Sequence, residues 1–130
     1  VLDLFSGSGI MGIEAISRGA SSVVAVENNR KQAISLRNNY RKLQIENNLT
    51  LWERDVLSLE FSHEKKTFDL IYADPPFTET YPDLRKFLDF LSPDGVAIFE
   101  CPSRAIPEWA LEGKVRRYGE SSLAFFWKDS

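Results

Sequence analysis

The sequence has 130 residues, of which 27% are charged and 43% hydrophobic, and its formal net charge is -3. A chain of this size buries roughly two thirds of its unfolded surface, which predicts a single folded domain over residues 1–130 and excludes a disordered or collagen-like chain. No apolar stretch approaches the roughly 20 residues of a membrane-spanning helix, and no signal-peptide pattern is seen, so we expect a cytoplasmic protein without membrane contact.

Apolar stretches alternate with helical patterns along the chain, which is typical of βαβ units with a parallel sheet. The pattern predicts five strands, which span residues 1–5, 22–27, 49–54, 68–73 and 96–100. It predicts helices from the first glycine-rich turn to Gly19, over about residues 30–45 and over residues 81–91, with a turn at residues 92–95. Because the first strand begins at Val1 and not at a methionine, we expect that a segment upstream of it has been removed.

The C-terminal residues depart from this alternation. Residues 115–118 and 123–127 are separated by a short polar stretch that begins at Gly119, and this pattern predicts a β-hairpin in place of another βαβ unit. The predicted fold class is α/β, with a Rossmann-like, mostly parallel twisted sheet, helices on both faces and a C-terminal antiparallel hairpin.

Cysteine and histidine usage excludes several kinds of site. The chain has one cysteine and one histidine, which is too few for a zinc ligand set, so we expect no metal. Cys101 follows a hydrophobic stretch and is expected to be buried at a strand end, and His63 is expected in a solvated loop. The pI of about 5.2 argues against a protein that coats nucleic acid by charge alone, although a local patch remains compatible with it.

Acidic residues stand at the carboxyl ends of four predicted strands: Asp3 with the loop after it, Glu27, Asp55 and Asp74. Ligands of a doubly wound sheet bind beyond the carboxyl ends of its strands, near the point where the strand order reverses. We therefore expect these four acidic residues to converge on one cleft.

The glycine-rich loop after the first strand is ambiguous when taken alone. Gly7, Gly9 and Gly12 fit the G-x-G-x-x-G pattern, and Glu27 follows at about the distance of the acid that binds an NAD ribose, so an NAD-dependent oxidoreductase is an alternative. A second alternative is that the loop is a tight strand-to-helix turn that binds no ligand. Asp3 favours a different cofactor, because a carboxylate repels a pyrophosphate but attracts the ammonium and sulfonium groups of S-adenosylmethionine.

The predicted cofactor-binding residues lie at or just after strand ends: Asp3, Phe5, Ser6, Gly7, Gly9, Glu27, Asn28, Asp55 and Val56. Glu27 can accept hydrogen bonds from both ribose hydroxyls of the donor. Asp55 can accept a hydrogen bond from the adenine amino group while the Val56 backbone binds the ring edge. Taken singly, Glu27 and Asp55 are equally compatible with ordinary polar strand ends that face water.

The tetrapeptide Asp74, Pro75, Pro76 and Phe77 is the most specific motif in the chain and predicts the catalytic site. An exocyclic base amine is a poor nucleophile, because its lone pair is delocalised into the ring. The Asp74 carboxylate and the Pro75 carbonyl would accept its two N–H bonds and direct the lone pair at the methyl group, with the prolines fixing the backbone. Phe77 offers a face on which a base removed from its stack can lie.

These motifs resemble the bacterial RsmD-type methyltransferases, which modify the exocyclic N2 of a guanine in 16S ribosomal RNA. The resemblance extends over nearly the whole chain and is strongest at residues 2–9, at Gly12, Glu14, Ala15, Ser17, Arg18, Gly19 and Ala20, at the tetrapeptide and at the Tyr118-Gly119 hairpin. It implies a Rossmann-like class I methyltransferase fold, S-adenosylmethionine as donor, a cofactor cleft at Asp3 to Gly9, Glu27 and Asp55, and an amino-methylating site at Asp74 to Phe77.

Two departures from the family pattern stand out. Ser6 replaces the alanine that the family usually has, a small change that should be tolerated. The family also has an N-terminal segment that precedes the first strand, helps to close the cofactor site and contributes to RNA binding, and we expect this segment to be missing here.

Other functions remain open on the residues alone. An adenine-N6 methyltransferase is the nearest alternative, because an (Asn/Asp)-Pro-Pro-aromatic motif serves any exocyclic base amine, and a non-catalytic RNA-binding module is a further one. The expected partner is ribosomal RNA or the small ribosomal subunit, and a monomer is expected. Candidate phosphate-binding and base-stacking residues lie in the last third of the chain: Arg104, Trp109, Lys114, Arg116, Arg117, Trp127 and Lys128. An ordinary hairpin with exposed basic residues and buried aromatic residues is the favoured interpretation of them.

Overall fold

The computed structural model describes residues 1–59, 67–76 and 81–128. Its N-terminal part is built on parallel strands. The chain divides into two compact units, Val1–Glu60 and Phe61–Ser130. The prediction of one catalytic domain over residues 1–130 stays a prediction. In the part of the chain that the structure describes, no helix is both long and apolar enough to cross a membrane.

The first unit contains three parallel strands and two α-helices. The elements are β1 (Leu2–Leu4), α1 (Ile10–Ser17), β2 (Val23–Val26), α2 (Arg30–Lys42) and β3 (Leu49–Trp52). The strand order is β3-β2-β1, with Leu4 opposite Val26 and Val26 opposite Trp52. Every residue of β1 and β2 is buried, and α2 packs its apolar stripe, which includes Leu36 and Tyr40, against β2.

The turn between β1 and α1 depends on left-handed backbone conformations. Phe5, Gly7 and Gly9 have φ angles of 55°, 58° and 85°. A Cβ atom on Gly9 would lie 2.8 Å from the Leu36 side chain, so this position requires glycine for its close approach as well as for its backbone conformation. The glycine therefore allows α1 to begin directly against α2.

The second unit contains one parallel pair of strands and a C-terminal antiparallel hairpin. Its strands are β4 (Phe68–Ala73), β5 (Leu91–Pro102), β6 (Lys114–Tyr118) and β7 (Ser121–Trp127), in the order β4-β5-β7-β6. β4 and β5 are parallel, whereas β7 is antiparallel to both β5 and β6. The predicted α/β class, with a mostly parallel sheet and a C-terminal hairpin, is confirmed.

The predicted helix over residues 81–91 is wrong. A 3-10 helix spans Arg85–Phe90, and the residue after it, Leu91, already pairs with Phe68 in the sheet. β5 therefore begins before the predicted helix would end, and the residues just before it form a 3-10 helix instead of an α-helix.

The predicted turn at residues 92–95 is also wrong as a separate element. β5 continues through these residues, and the pairing with β4 shifts between Phe68, opposite Leu91, and Leu70, opposite Val96. Asp94 has a φ angle of 64°, so the extra residues of β5 are accommodated as an irregular bulge within the strand.

Several predicted elements are longer than the observed ones. β1 spans Leu2–Leu4, β2 spans Val23–Val26, α2 ends at Lys42 and β3 ends at Trp52. The shorter α2 has a local cause, because Gln44 has a φ angle of 59°, which stops a right-handed helix. Leu43, which lies within the predicted helix, follows the end of α2 and is exposed.

Other predictions agree with the structure. β4 has the predicted bounds, the hairpin forms where the sequence places it, and Gly19 follows α1 with a φ angle of 109°. Cys101 is buried in β5, as expected. His63 lies outside the described residues.

Candidate functional site

Glu27 is the residue that holds the glycine-rich loop of the first unit. It follows β2, and its backbone N–H donates to the Trp52 carbonyl at the end of β3. Its Oε1 accepts a hydrogen bond of 2.7 Å from the Gly7 N–H, and its Oε2 accepts one of 2.8 Å from the Asn29 N–H. Each carboxylate oxygen retains further acceptor capacity, so Glu27 can hold the loop and still bind a hydroxyl group.

Asp3 lies beneath the same loop. It is the middle residue of β1, only 1% exposed, and its Oδ2 accepts a hydrogen bond of 2.5 Å from the Ser6 hydroxyl. The Ser6 N–H in turn donates to the Val26 carbonyl at 2.9 Å. Ser6 therefore connects the buried acid to the loop, a contact that an alanine at this position could not make.

Two residues of α2 that the sequence analysis did not select also hold the loop. The Asn39 side-chain amide donates to the Ser8 carbonyl at 3.0 Å. Tyr40 is fully buried against Gly9 and Gly12, and within the described residues its hydroxyl has no hydrogen-bond partner. Burial, followed by the negative charge of Asp3, raises the pKa of Tyr40 well above its usual value.

The remaining predicted cofactor residues of this unit differ in accessibility. Asp55 is exposed after β3, and its Oδ1 accepts a hydrogen bond of 3.0 Å from the Leu57 N–H. Val56 is buried, Asn28 is exposed and Phe5 is partly buried. The structure thus brings Asp3, Ser6, Gly7 and Glu27 together by direct contacts, while Asp55 is tied to its own turn.

The polarity of the loop decides which ligand charge it can accept. The Gly7 N–H donates to Glu27, and the Gly9 N–H donates to the Ser6 carbonyl at 3.0 Å. A pyrophosphate needs such N–H groups, and here they are already used beside two carboxylates. A Cβ atom on Gly7 would meet nothing within 4 Å, so open space borders the loop. Carboxylate acceptors beside open space fit a ligand with hydroxyl groups and positive charge, such as S-adenosylmethionine.

In the second unit, the proline motif directly follows β4. Asp74 and Pro76 are exposed and Pro75 is buried, whereas Phe77 lies outside the described residues. The Pro75 carbonyl accepts a long hydrogen bond of 3.3 Å from the Tyr81 hydroxyl. A carbonyl oxygen has two lone pairs, so Pro75 can accept a second donor at the same time.

A second carboxylate, Glu100 of β5, acts on Asp74. The surrounding protein atoms, followed by the negative charge of Glu100, raise the pKa of Asp74 to about 6, although Asp74 keeps solvent access. The Tyr72 hydroxyl donates to Glu100 Oε2 at 2.6 Å and holds this carboxylate in place. Burial, followed by the charge of Asp74, raises the pKa of Tyr81 to about 12.

Glu100 and Tyr81 are the functional candidates of this unit that the sequence analysis missed. Glu100 ends the fifth predicted strand, so the rule that selected the four other acidic residues would have found it. Tyr81 had no such signal, because it was placed in a helix that does not form. Across residues 1–59, 67–76 and 81–128, no three His, Cys, Asp or Glu side chains form a group that could hold a metal ion.

A family model matches nearly the whole chain, and a curated relative matches a little more than half of it. A family model described as "Conserved hypothetical protein 95" matches residues 1–127. The chain is 37% identical over 76 residues to "Ribosomal RNA small subunit methyltransferase D" of Buchnera aphidicola subsp. Acyrthosiphon pisum, a match that covers 58% of this chain and 39% of that protein. The match thus spans about two fifths of the length of this relative.

Solved structures show the same fold. A conserved hypothetical protein of Streptococcus pyogenes is 28% identical with a TM-score of 0.80, over 98% of this chain and 84% of that chain. An RNA methyltransferase from Salinibacter ruber, solved in complex with S-adenosyl-L-homocysteine, is 14% identical with a TM-score of 0.67, over 97% of this chain and 78% of that chain. The predicted class I methyltransferase fold is therefore confirmed.

Proposed function

The chain belongs to the family described as "Conserved hypothetical protein 95", the RsmD family, and from this premise we propose that it is a ribosomal RNA methyltransferase. We propose S-adenosylmethionine as the donor and the exocyclic N2 amine of a guanine in small-subunit ribosomal RNA as the acceptor. A monomer in the cytoplasm is part of the same proposal. The names of the curated relatives and the polarity of the glycine-rich loop support it.

The observation that carries the choice of donor is the contact between Glu27 and the loop. Its carboxylate accepts the Gly7 and Asn29 N–H groups at 2.7 and 2.8 Å, so the Gly7 N–H that a pyrophosphate would need is already used. When bound, S-adenosylmethionine supplies a methyl group on a positively charged sulfur. In the proposal, Glu27 binds the ribose hydroxyls, Asp55 and Val56 bind the adenine, and Asp3 contributes its buried charge from beneath the loop.

Asp74 and Pro75 would orient the acceptor amine. With a pKa of about 6, Asp74 is mostly ionised at neutral pH and can accept one N–H of the amine. The Pro75 carbonyl has a lone pair left for the other N–H, beside its hydrogen bond from Tyr81. With both N–H bonds held, the nitrogen lone pair is directed at the methyl group, and proximity and alignment supply most of the acceleration.

The transfer itself requires no covalent enzyme intermediate. The amine nitrogen gains the methyl group and loses one proton, which Asp74 or water accepts. Pro76 would limit the backbone freedom of the motif, and Phe77 would stack on the flipped base. The roles of Asp74, Pro75, Pro76 and Phe77 remain part of the proposal.

A methyl-transfer assay with labelled S-adenosylmethionine and unmethylated small ribosomal subunits tests this function. We expect label in the RNA, and nucleoside analysis should place it in N2-methylguanosine. Label in N6-methyladenosine would keep the reaction class and replace the base, because the Asp-Pro-Pro motif serves any exocyclic base amine. No label in RNA, with S-adenosylhomocysteine bound normally, would refute the RNA substrate.

A further inference from the structure

The two faces of the C-terminal hairpin differ in character. Residues directly opposite in an antiparallel pair point to the same face, so the register assigns Lys114 with Phe125, Arg116 with Leu123, and Tyr118 with Ser121. Trp127 lies two residues beyond Phe125 and shares their face. We call this the hairpin outer face, which consists of Lys114, Arg116, Tyr118, Leu123, Phe125 and Trp127.

The outer face presents aromatic rings to solvent. Tyr118 is 58% exposed and Trp127 is 45% exposed. The rings of Phe125 and Trp127 are nearly parallel, at 14°, with their centroids 5.9 Å apart. Aromatic surfaces of this kind are the elements on which nucleic-acid bases stack.

The opposite face of the hairpin packs into the hydrophobic core. Ala124 and Phe126 are buried there, and Trp109 packs against Phe126 with its indole N–H shielded from solvent. The aromatic residues of the outer face are therefore additional to those that stabilise the fold. Arg117 lies on the core side of the register, opposite Ser122, and its Nε donates to the Gly119 carbonyl at 3.0 Å.

The charge of the outer face is opposite to that of the whole chain. Lys114 and Arg116 are exposed on β6, the last strand in the order of this unit, and β6 contains no acidic residue, whereas the chain has a net charge of -3. Glu100 is the acidic residue opposite Leu123 on this side of the sheet, and it is held by the Tyr72 hydroxyl. The local positive charge is thus concentrated beside the exposed rings.

From this arrangement we propose that the hairpin outer face is a binding surface for single-stranded RNA. Lys114 and Arg116 contact phosphates, and Tyr118 and Trp127 stack on bases. A single strand offers phosphates to the basic residues and unpaired base faces to the aromatic rings. A double helix hides its base faces from such rings. The proposal rests on the proposed function, since it names the surface that holds the RNA substrate.

The test measures binding of a fluorescein-labelled single-stranded RNA oligonucleotide to the 130-residue chain by fluorescence anisotropy. Lys114→Glu and Arg116→Glu should each reduce the slope of log Kd against log salt by about 0.7 for each phosphate that is no longer bound, which is about a five-fold loss of affinity at 0.1 M salt. Trp127→Ala and Tyr118→Ala should each weaken binding by about five-fold or more, with the salt slope unchanged, because base stacking is independent of counterion release.

Arg117→Glu is the matched control, because it reverses the same charge one residue away on the other side of the hairpin. Lys31→Glu on α2 controls for net charge, and S-adenosylhomocysteine binding controls for folding. Three outcomes would each overturn the proposal. The first is an equal effect of Arg116→Glu and Arg117→Glu, and the second is an unchanged salt slope in Lys114→Glu and Arg116→Glu. The third is a preference for double-stranded RNA. Capture of a protein partner without RNA binding would also overturn it.

The failure of this proposal can be separated from failure of the proposed function. Wild-type chain that binds RNA through this face but transfers no methyl group would leave the surface in place and remove the methyltransferase function. If the chain methylates RNA but all four outer-face variants keep the wild-type RNA affinity, the methyltransferase function stands and the binding surface is refuted.

Discussion

At the residue scale, Asp74 combines solvent access with a raised pKa, two properties that are seldom found together. It is accessible enough to meet a substrate amine, yet its surroundings and the charge of Glu100 raise its pKa to about 6. A carboxylate with a raised pKa is a stronger base than an ordinary aspartate and a better acceptor for an N–H bond near neutral pH. Pro75 adds the second acceptor, already fixed by the Tyr81 hydroxyl.

Replacing Asp74 by alanine tests its role directly. Asp74→Ala should lower kcat for methyl transfer by about 100-fold or more, because the variant has no preorganised acceptor at the reacting amine. Binding of S-adenosylhomocysteine, measured by calorimetry, should stay close to that of the wild type. Asp89→Ala, which removes an exposed aspartate of the same unit, should leave both quantities unchanged. Near-normal turnover in Asp74→Ala would show that Asp74 does not orient the amine.

Glu100→Gln should change the pH dependence of the reaction. In the proposed mechanism the ionised form of Asp74 accepts the amine N–H, so we expect the rate to rise with pH around a midpoint of about 6. The neutral glutamine removes the repulsion from the Glu100 charge, so Asp74 ionises at lower pH and the midpoint moves downward. The pH profile of kcat/KM measures this shift, and Glu120→Gln in the hairpin turn serves as a control. A midpoint that stays in place would remove Glu100 from the site.

At the scale of elements, α2 determines the shape of the glycine-rich loop. Asn39 donates to the Ser8 carbonyl at 3.0 Å, and Tyr40 fills the space against Gly9 and Gly12. A Cβ atom on Gly12 would overlap the Tyr40 hydroxyl and lie 2.9 Å from Val23. Gly9 and Gly12 are therefore required for the packing of α1 against α2 and β2, whether or not the loop binds a ligand.

Tyr40→Phe should leave the free energy of unfolding unchanged or raise it by about 1 kcal/mol, as measured by urea denaturation. The hydroxyl is buried and, in the described part of the chain, lacks a hydrogen-bond partner, so its removal relieves a desolvation cost. Tyr118→Phe removes an exposed hydroxyl by the same change and should have little effect. Marked destabilisation by Tyr40→Phe would mean that the hydroxyl makes a stabilising contact.

Gly12→Ala should lower the free energy of unfolding by about 1 to 3 kcal/mol, because the added methyl group overpacks the space between α1, Tyr40 and Val23. In the Tyr40→Phe background the cost should be smaller, since the nearest atom is gone. A double-mutant cycle in urea measures this coupling. Additive effects of the two substitutions would contradict the predicted contact.

At the scale of the whole molecule, the distribution of charge matters more than its sum. Asp3 and Glu27 lie at the loop of the first unit, and Asp74 and Glu100 lie together in the second. The basic residues of β6 lie apart from both pairs in the sequence. The net charge of -3 therefore conceals acidic sites suited to a cationic donor and a basic strand suited to phosphate.

Ligand-dependent melting tests the donor for the whole chain. S-adenosylhomocysteine at 100 times its Kd should stabilise the fold by about 2.7 kcal/mol, which corresponds to a rise in Tm of roughly 10 °C for a chain of this size. NAD should give no shift, because the loop N–H groups of Gly7 and Gly9 are already used. Differential scanning fluorimetry with both ligands makes the comparison. Stabilisation by NAD alone would favour the oxidoreductase alternative.

Much of the fold follows from local signals in the sequence. The proline residues after Ala73 end β4 where predicted, and Gly119 marks the hairpin turn with a φ angle of 66°. The segment over Arg85–Phe90 was not predictable in this way, because its conformation depends on the pairing of Leu91 with Phe68. Local pattern thus predicts the elements best where glycine or proline punctuates the chain.

The sequence by itself determined the family, the α/β class and the acidic residues that follow the strands, because these depend on residue type and spacing. Only the tertiary structure decided how those residues are used. The contacts of Glu27 with Gly7 and of Asn39 with Ser8 join residues 20 and 31 positions apart, and the charge of Glu100 reaches Asp74 from another strand. Such contacts arise from the packing of distant elements, and hydrogen bonding and desolvation depend on distance in space rather than on distance along the chain.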